Sequence, residues 1–257
     1  MDTKLTGKTR IESDLIGARE IPAEALYGVQ TLRGIENFSI SKFRLSEYPL
    51  FIKGLAITKM AAAMANFELG LLTVEQKDAI IAACGEIIDG KHHDQFPVDM
   101  IQGGAGTTTN MNANEVIANR ALELMGHERG EYQYCSPNDH VNCSQSTNDA
   151  YPTAIHIGMY FKHLQLLPHL EELIASFRKK GEEFSQIIKM GRTQLEDAVP
   201  MTLGQTFNGF ASILQDEIAH LNEAAADFLV VNMGATAIGT GICAEPGYAE
   251  KCIAALR

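Results

Sequence analysis

Apolar residues recur at helical spacing in three segments of the first half of the chain. Residues 48–69 are rich in Ala and Met, and Gly70 follows as a C-terminal stop signal. Residues 73–89 repeat the pattern and end before Gly90, and residues 110–125 form a third amphipathic segment. The pattern therefore predicts three helices of ordinary length before the middle of the chain.

The second half carries two much longer helical patterns, residues 150–185 and 202–231. Pro168 predicts a kink in the first of them, because proline removes a hydrogen bond inside a helix. Thr202 and Gln205 have the spacing of a capping box at the start of the second. Helices of this length are typical of a bundle in which neighbouring helices pack along most of their length.

The predicted fold class is mainly α, with a small α-rich N-terminal domain followed by the start of a long-helix bundle. Residues 1–47 look irregular, and strand signals are weak throughout. We place the domains at 1–145 and 146–257. The chain closes on EPGYAEKCIAALR, a helical pattern without a stop signal, so we expect the second domain to be incomplete and the chain to be the N-terminal portion of a longer protein.

Composition narrows the class of protein. The chain has 257 residues, 46% of them hydrophobic, and a net charge of -11, which argues against a general nucleic-acid binder. Five scattered cysteines without a C-x-x-C pair predict reduced thiols in a cytoplasmic protein. The N-terminus lacks the apolar core of a signal peptide, and no apolar run looks long enough to span a bilayer. The eight histidines do not form a metal-binding pattern.

Two polar clusters precede predicted helices. The first, residues 103–110, reads GGAGTTTN, and a glycine loop before a helix start can bind an anion through backbone N–H groups. A flexible turn with one Thr cap is the simpler interpretation. The second, residues 143–149, reads CSQSTND, and capping by Asp149 or Tyr151 leaves Ser146, Thr147 and Asn148 without an explanation. A polar loop with local turns is an equally good interpretation.

Two further clusters flank the last long helix. Residues 191–197, GRTQLED, fit a helix–helix connection in which Arg192 pairs with the acidic residues, but that leaves Thr193 and Gln194 without a structural role. Residues 232–241, NMGATAIGTG, fit a glycine-rich helix exit better than a dinucleotide-binding loop, because no strand precedes them. Together the clusters offer neutral hydroxyl and amide groups that suit a small anion, and they imply no cofactor.

These motifs resemble the aspartase/fumarase superfamily, and within it the aspartate ammonia-lyases. The resemblance covers essentially the whole chain and rests on the following segments: DQFPVDMIQGGAGTTTNMNANEVIANRALELMG, GEYQY, PNDHVN, QSTNDAYPT, MGRTQLEDAVPMTLGQ and GATAIGTG. Fumarases usually carry QTGSGTQSNMN, and they usually have His where this chain has Gln194 and Ser136. The sequence is therefore more similar to the ammonia-lyases than to the fumarases.

The resemblance implies a carbon–nitrogen lyase that reversibly eliminates ammonia from L-aspartate to give fumarate through an aci-carboxylate intermediate. It implies that Thr107, Ser146 and Thr147 hold the β-carboxylate of the substrate. Asn148, Thr193 and Gln194 are implied to lie near its amino group. It further implies a cytoplasmic homotetramer with composite active sites, no required cofactor and Mg²⁺ as an activator in some members.

The catalytic base is not among these residues. The family base is a serine in a mobile Gly-Ser-Ser loop followed by Met-Pro-x-Lys-x-Asn, and no such stretch occurs in the 257 residues. We therefore expect this chain to be inactive by itself. Two alternatives stay open: a fumarase-like hydratase acting on L-malate, and a non-catalytic helical assembly scaffold.

Overall fold

The fold is mainly helical, as the sequence predicts. The computed structural model describes residues 7–257. The first six residues, which belong to the N-terminal segment discussed above as lacking the apolar core of a signal peptide, lie outside the described residues. The elements in chain order are β1 (Thr9–Asp14), β2 (Gly17–Pro22), α1 (Val29–Asn37), α2 (Pro49–Glu68), α3 (Val74–Ile88), α4 (Thr107–Leu124), α5 (Thr147–Glu183), β3 (Ile188–Thr193), β4 (Glu196–Thr202), α6 (Leu203–Ala226) and α7 (Tyr248–Leu256).

The helix boundaries follow local capping chemistry. Thr73 accepts a hydrogen bond from the Gln76 backbone N–H at the start of α3, and the Gln76 side chain accepts one from Thr73 N. Thr202 and Gln205 form the same reciprocal pair at the start of α6, which confirms the predicted capping box. These pairs satisfy N–H groups that have no partner inside the helix, and so they fix where each helix begins.

Two antiparallel hairpins correct the expectation of weak strands. β1 pairs with β2 in the segment that looks irregular in the sequence, with Thr9 opposite Pro22. β3 pairs with β4 between the long helices, where the sequence suggests a simple helix–helix connection. Each hairpin forms a separate two-stranded sheet, so the chain remains a helical protein with two β-ribbons.

The described chain divides into two compact units. The first contains the residues up to Gly158 together with Val231–Arg257, and the second contains Met159–Val230. Helix α5 includes residues of both units and continues through Pro168. The domain boundary predicted between residues 145 and 146 stays a prediction.

Helix α2 lies at the centre of the first unit. It packs against α3, α4 and α7. Its buried side chains, among them Ile52 and Leu55, join the main apolar cluster, whereas Ala61 and Ala62 join a second cluster with residues of α7. Gly54 lets α5 approach closely, since a Cβ there would collide with the Ala154 carbonyl oxygen. Helix α2 is therefore enclosed on several sides.

The same helix corrects one expectation about membranes. By length and composition alone, Pro49–Glu68 is apolar enough to cross a bilayer, with a mean hydropathy of 1.3 over its most apolar window. Within the structure, 61% of that window is buried against neighbouring residues. A helix enclosed in a protein core can have the same length and composition as a membrane-spanning helix.

The second unit pairs the later part of α5 with α6. Phe177 of α5 lies against Phe207 and Phe210 of α6, with ring centroids 5.9 and 5.7 Å apart. His163 Nε2 and Asn222 Oδ1 lie 3.0 Å apart near the other end of the pair. Several large apolar side chains of these helices stay exposed: Met159, Leu164, Leu166, Leu173, Phe210 and Ile213.

Candidate active site

The first turns of α4 and α5 meet in the first unit. Gly106, with φ at 90°, precedes α4, and a Cβ on it would collide with the Tyr151 ring of α5. Asn110, one turn into α4, donates from Nδ2 to Thr147 Oγ1 over 3.2 Å. Both helices begin three residues earlier than the sequence pattern predicts, at Thr107 and Thr147, so these two threonines belong to the helix starts themselves.

Three hydroxyl groups at these helix starts keep their protons available. Ser146 Oγ accepts a hydrogen bond from the Asn148 backbone N–H over 3.2 Å, and Thr147 Oγ1 accepts from Asn110. Thr107 is exposed, and its hydroxyl has no partner among the described residues. A hydroxyl that accepts one bond can still donate its own proton. Two helix N-termini add positive potential at the same place, so the surface suits an anionic group.

Asn148 contributes an acceptor beside these donors. Its Nδ2 donates to the Ala237 carbonyl oxygen over 2.8 Å, which fixes the orientation of the amide. The opposite atom, Oδ1, has no hydrogen-bond partner among the described residues, and the residue is exposed. An oxygen held in this way can accept from a positively charged group such as an ammonium.

Asp149 connects the second and fourth polar clusters, which the sequence alone does not relate. The carboxylate is fully buried; Oδ1 accepts from Ser146 N over 2.9 Å, and Oδ2 accepts from Gly234 N and Thr236 N, each over 3.0 Å. The structure corrects the predicted cap: Ser146 is the N-cap of α5, because its Oγ accepts from Asn148 N, and the bond from Ser146 N to Asp149 is the reciprocal half of a capping box. The other two show that the glycine-rich residues 232–241 are part of the scaffold of the site rather than a simple helix exit. Tyr151, the other candidate cap, packs its ring against Gly106 instead.

Asn232 compensates for a proline in α5. Pro152 has no backbone N–H, so it cannot donate to the Asn148 carbonyl oxygen four residues earlier. Asn232 Nδ2 donates to that oxygen over 3.1 Å. The sequence gives no signal for this contact, because the two partners are separated by more than eighty residues. The first turn of α5 is thus held by side chains from the distant loop.

Lys59 lies beneath the loop that leads into α5. The sequence motifs do not indicate that this residue contributes to the site. Its side chain is 1% exposed in the middle of α2. Nζ donates to Asn110 Oδ1 at 2.7 Å, to Asn142 Oδ1 at 3.0 Å and to Gln145 Oε1 at 2.8 Å. Burial lowers the pKa of Lys59 to about 7, against the opposing charge of Asp149. The one available signal is a lysine in a largely apolar helix, and Lys53 of the same helix gives that signal equally.

Thr193 and Gln194 lie in the second unit, at the tip of the β3–β4 hairpin. The connecting residues Gln194 and Leu195 both have positive φ, 49° and 68°, as a two-residue type I′ turn requires. Thr193 and Gln194 are exposed, and the structure gives their side chains no hydrogen-bond partner among the described residues. Arg192 pairs with Asp197 across the hairpin at 3.0 Å, which confirms the predicted structural role of that pair.

Comparison with known proteins identifies relatives over nearly the whole chain. A family model described as lyase matches residues 17–257. The chain is 59% identical over 240 residues to an aspartate ammonia-lyase of Pseudomonas canavaninivorans, covering 93% of this chain and 51% of that protein. It is 53% identical over 250 residues to an aspartate ammonia-lyase of Escherichia coli strain K12, covering 97% and 52%. The chain therefore spans about half the length of the curated relatives it matches.

Solved structures extend the similarity to the fold. The chain matches a crystal structure of fumarate lyase:delta crystallin from Brucella melitensis bound to cobalt, with a TM-score of 0.94 and 54% identity, covering 97% of this chain and 54% of that one. It matches a class II fumarase from Schistosoma mansoni with a TM-score of 0.89 and 37% identity, covering 97% and 52%. Both neighbours support the mainly α fold.

Proposed function

This chain belongs to the lyase family, and we propose that it carries part of the active site of an enzyme that reversibly eliminates ammonia from L-aspartate to give fumarate. The observation that carries the proposal is the meeting of two helix starts, where Thr107, Ser146 and Thr147 have hydroxyl protons to donate. High identity to aspartate ammonia-lyases supports the same reaction.

The chemistry of the elimination fits these donors. Removal of a proton from C3 leaves an electron pair that the adjacent β-carboxylate takes up, and the carboxylate becomes a more highly charged aci-carboxylate. That pair then forms the carbon–carbon double bond while the C–N bond breaks, and ammonia leaves with the electrons of that bond. Donors held in place before the reaction stabilise the charged intermediate, and each can contribute about 3–4 kcal/mol. Thr107, Ser146 and Thr147 take this role in the proposal.

The proposal assigns the amino group to the remaining residues. Asn148 Oδ1, held by the bond from Nδ2 to Ala237, is oriented to accept from the α-ammonium group. Thr193 and Gln194 lie at the tip of a hairpin. In the proposal they contact the amino group of the substrate only after the whole protein has assembled. The proposal does not assign removal of the C3 proton to any of these side chains. The family resemblance assigns it to a serine that the 257 residues do not contain.

We further propose a cytoplasmic homotetramer without a required cofactor, in which Mg²⁺ can act as an activator. The exposed apolar side chains of α5 and α6 support assembly, because apolar residues left exposed on a pair of long helices can be buried against further helices. The free thiols, among them the exposed Cys243, are compatible with a reducing compartment. In such an assembly each active site is completed by residues of other subunits.

A fumarase-like hydratase acting on L-malate is the second candidate. The similarity to the class II fumarase favours it, because both reactions pass through the same type of dicarboxylate intermediate. Gln194 argues against it, since fumarases usually have His at this position. The two candidates differ in the group that leaves, an ammonium or a hydroxyl, and therefore in the substrate that releases fumarate.

Fumarate absorbance distinguishes the two candidates directly. We would add L-aspartate, and separately L-malate, to the protein made from the complete gene. Thr107→Val should lower kcat by about 100–1,000-fold, as loss of an oxyanion donor does. Thr108→Val is the matched control, because the methyl group of Thr108 that lies against Gly34 is retained in Val. Equal activity of both variants and the wild type would refute the assigned role of Thr107, and fumarate from L-malate alone would replace lyase by hydratase.

A further inference from the structure

The burial of Lys59 in a hydrophobic core is energetically unfavourable. The lysine has no carboxylate within ion-pairing distance among the described residues, and three neutral amide oxygens surround its amino group. Desolvating an ammonium costs several kcal/mol, and amide dipoles return only part of that cost. An apolar side chain of similar volume would stabilise this position at least as well. The stability of α2 therefore does not account for the lysine.

The three oxygens belong to segments that build the candidate active site. Asn110 is in α4, Asn142 follows the short π-helical turn Pro137–Val141, and Gln145 immediately precedes Ser146. Gln145 also donates from Nε2 to the Val141 carbonyl oxygen over 2.9 Å. One amino group thus joins α2, α4 and the loop that leads into α5.

The bond to Asn110 has a directional consequence. Because the Lys59 amino group donates to Oδ1 of Asn110, the Nδ2 atom of the same amide faces away from that contact. There Nδ2 donates to Asn142 Oδ1 over 3.0 Å and to Thr147 Oγ1 over 3.2 Å. Thr147 Oγ1 thus accepts a hydrogen bond from Asn110, and the hydroxyl proton of Thr147 points away from Asn110.

We propose that Lys59 is a positioning residue that sets the direction in which the Thr147 hydroxyl donates. Without the lysine, Asn110 Oδ1 loses its donor, and only the bond from Nδ2 to Asn142 Oδ1 opposes a half-turn of the amide that would present Oδ1 to Thr147. The Thr147 proton would then be used on Asn110, and the substrate carboxylate would lose a donor. This inference rests on the proposed function, because it assigns Thr147 to the carboxylate.

A double-mutant cycle on the protein made from the complete gene tests the link. Lys59→Met removes the donors at similar volume, and Thr147→Val removes the hydroxyl that they direct. We expect each single variant to lower kcat for L-aspartate by about 100-fold, with KM changed less, and the double variant to be no worse than either one. Independent effects that multiply to about 10,000-fold would overturn the inference.

Leu55→Ala is the control for a purely structural effect. Leu55 lies on the same helix, is 1% exposed and has no bond to the site, so its truncation weakens the core alone. Leu55→Ala should lower the urea midpoint at least as much as Lys59→Met, whereas kcat should fall only in the lysine variant. An equal fall in kcat in both variants would show that Lys59 acts through stability and would overturn the proposal.

Failure of the proposed function can be separated from failure of this inference. A wild-type protein that releases fumarate from L-malate can be analysed by the same cycle with that substrate. If neither substrate reacts, the proposed function fails, and binding of succinate measured by calorimetry becomes the readout. Lys59→Met should then weaken succinate binding in the wild type and leave it unchanged in the Thr147→Val background. Equal weakening in both backgrounds would overturn the role of Lys59.

Discussion

The clearest structural prediction concerns Asp149→Asn. The carboxylate of Asp149 is the one buried group, among the residues that the structure describes, that bonds both the start of α5, at Ser146, and the glycine-rich loop, at Gly234 and Thr236. Asparagine has nearly the same shape but only one oxygen, so the substitution changes hydrogen bonding and charge while it leaves packing intact. It therefore isolates the electrostatic link between the two segments.

The bond geometry sets the magnitude. The asparagine amide of the Asp149→Asn variant can adopt two orientations. In the first, its oxygen accepts from Gly234 N and Thr236 N, and its NH₂ group faces the Ser146 N–H. In the second, its oxygen accepts only from Ser146 N, and the bonds to Gly234 N and Thr236 N are lost. The first orientation is the less costly, and it replaces one charge-assisted bond by two facing donors. Such bonds contribute about 1.5–3 kcal/mol, so we expect a loss of about 2–3 kcal/mol in the free energy of unfolding. Asp149→Ala leaves three N–H groups without an acceptor, two of them buried, and should cost about 4 kcal/mol or more.

Urea unfolding and amide hydrogen exchange measure the two consequences separately. The midpoint should fall from the wild type to Asp149→Asn and again to Asp149→Ala, and exchange should accelerate in peptides that contain residues 146–150 and 232–237. Asp78→Asn is the control for the change of residue type, since the Asp78 side chain is 62% exposed and should change stability by less than about 0.5 kcal/mol. An Asp149→Asn variant with the wild-type midpoint and unchanged exchange would refute the role of Asp149 as the link.

Three further changes test other contacts. Glu115→Gln turns an amide nitrogen toward a backbone N–H at the start of α1 and should lower the free energy of unfolding by about 2 kcal/mol, measured in urea. Burial lowers the pKa of Lys59 from 10.5 to about 7, so between these pH values the unfolded chain binds one more proton than the folded chain. The free energy of unfolding of the wild type, relative to that of Lys59→Met, should therefore rise from about pH 7 to pH 9.5, by at most roughly 1.4 kcal/mol per pH unit. A difference that does not change with pH would contradict this prediction. Asn232→Ala leaves the Asn148 carbonyl without its donor and should accelerate exchange at the start of α5, with an unchanged rate as the contrary outcome.

Most helices could be predicted from the sequence because their signals are local. The pattern over residues 48–69 gives α2 as Pro49–Glu68, and residues 73–89 give α3 as Val74–Ile88. A glycine follows each helix after one further residue, and at the N-terminal end α2 begins with Pro49 whereas α3 has the Thr73 cap. The starts of α4 and α5 are predicted late, because their first turns consist of polar residues that also occur in loops. At these two positions the residues serve both the helix and the candidate site.

The hairpins escape prediction for a different reason. β3 and β4 are largely exposed, so they have no alternation of buried and exposed residues that would mark a strand. The turn between them is Gln194-Leu195, whereas a type I′ turn usually contains Asn or Gly. A two-stranded ribbon of this kind depends on contacts beyond the strands themselves. Its backbone conformation therefore cannot be derived from the propensities of the residues within it.

The donors of the candidate site could be predicted as a group, but the direction of their hydrogen bonds could not. A row of hydroxyl and amide residues shows that a polar surface is available, and it does not show which oxygen accepts from the protein. That choice is made by partners far away in sequence, such as Lys59, whose contact to Asn110 spans 51 residues. The cost of burying this amine is reasonable only if direction matters, because an apolar core could support the same helices. A hydroxyl that accepts a bond from the protein, as Thr147 does, keeps its proton to donate elsewhere.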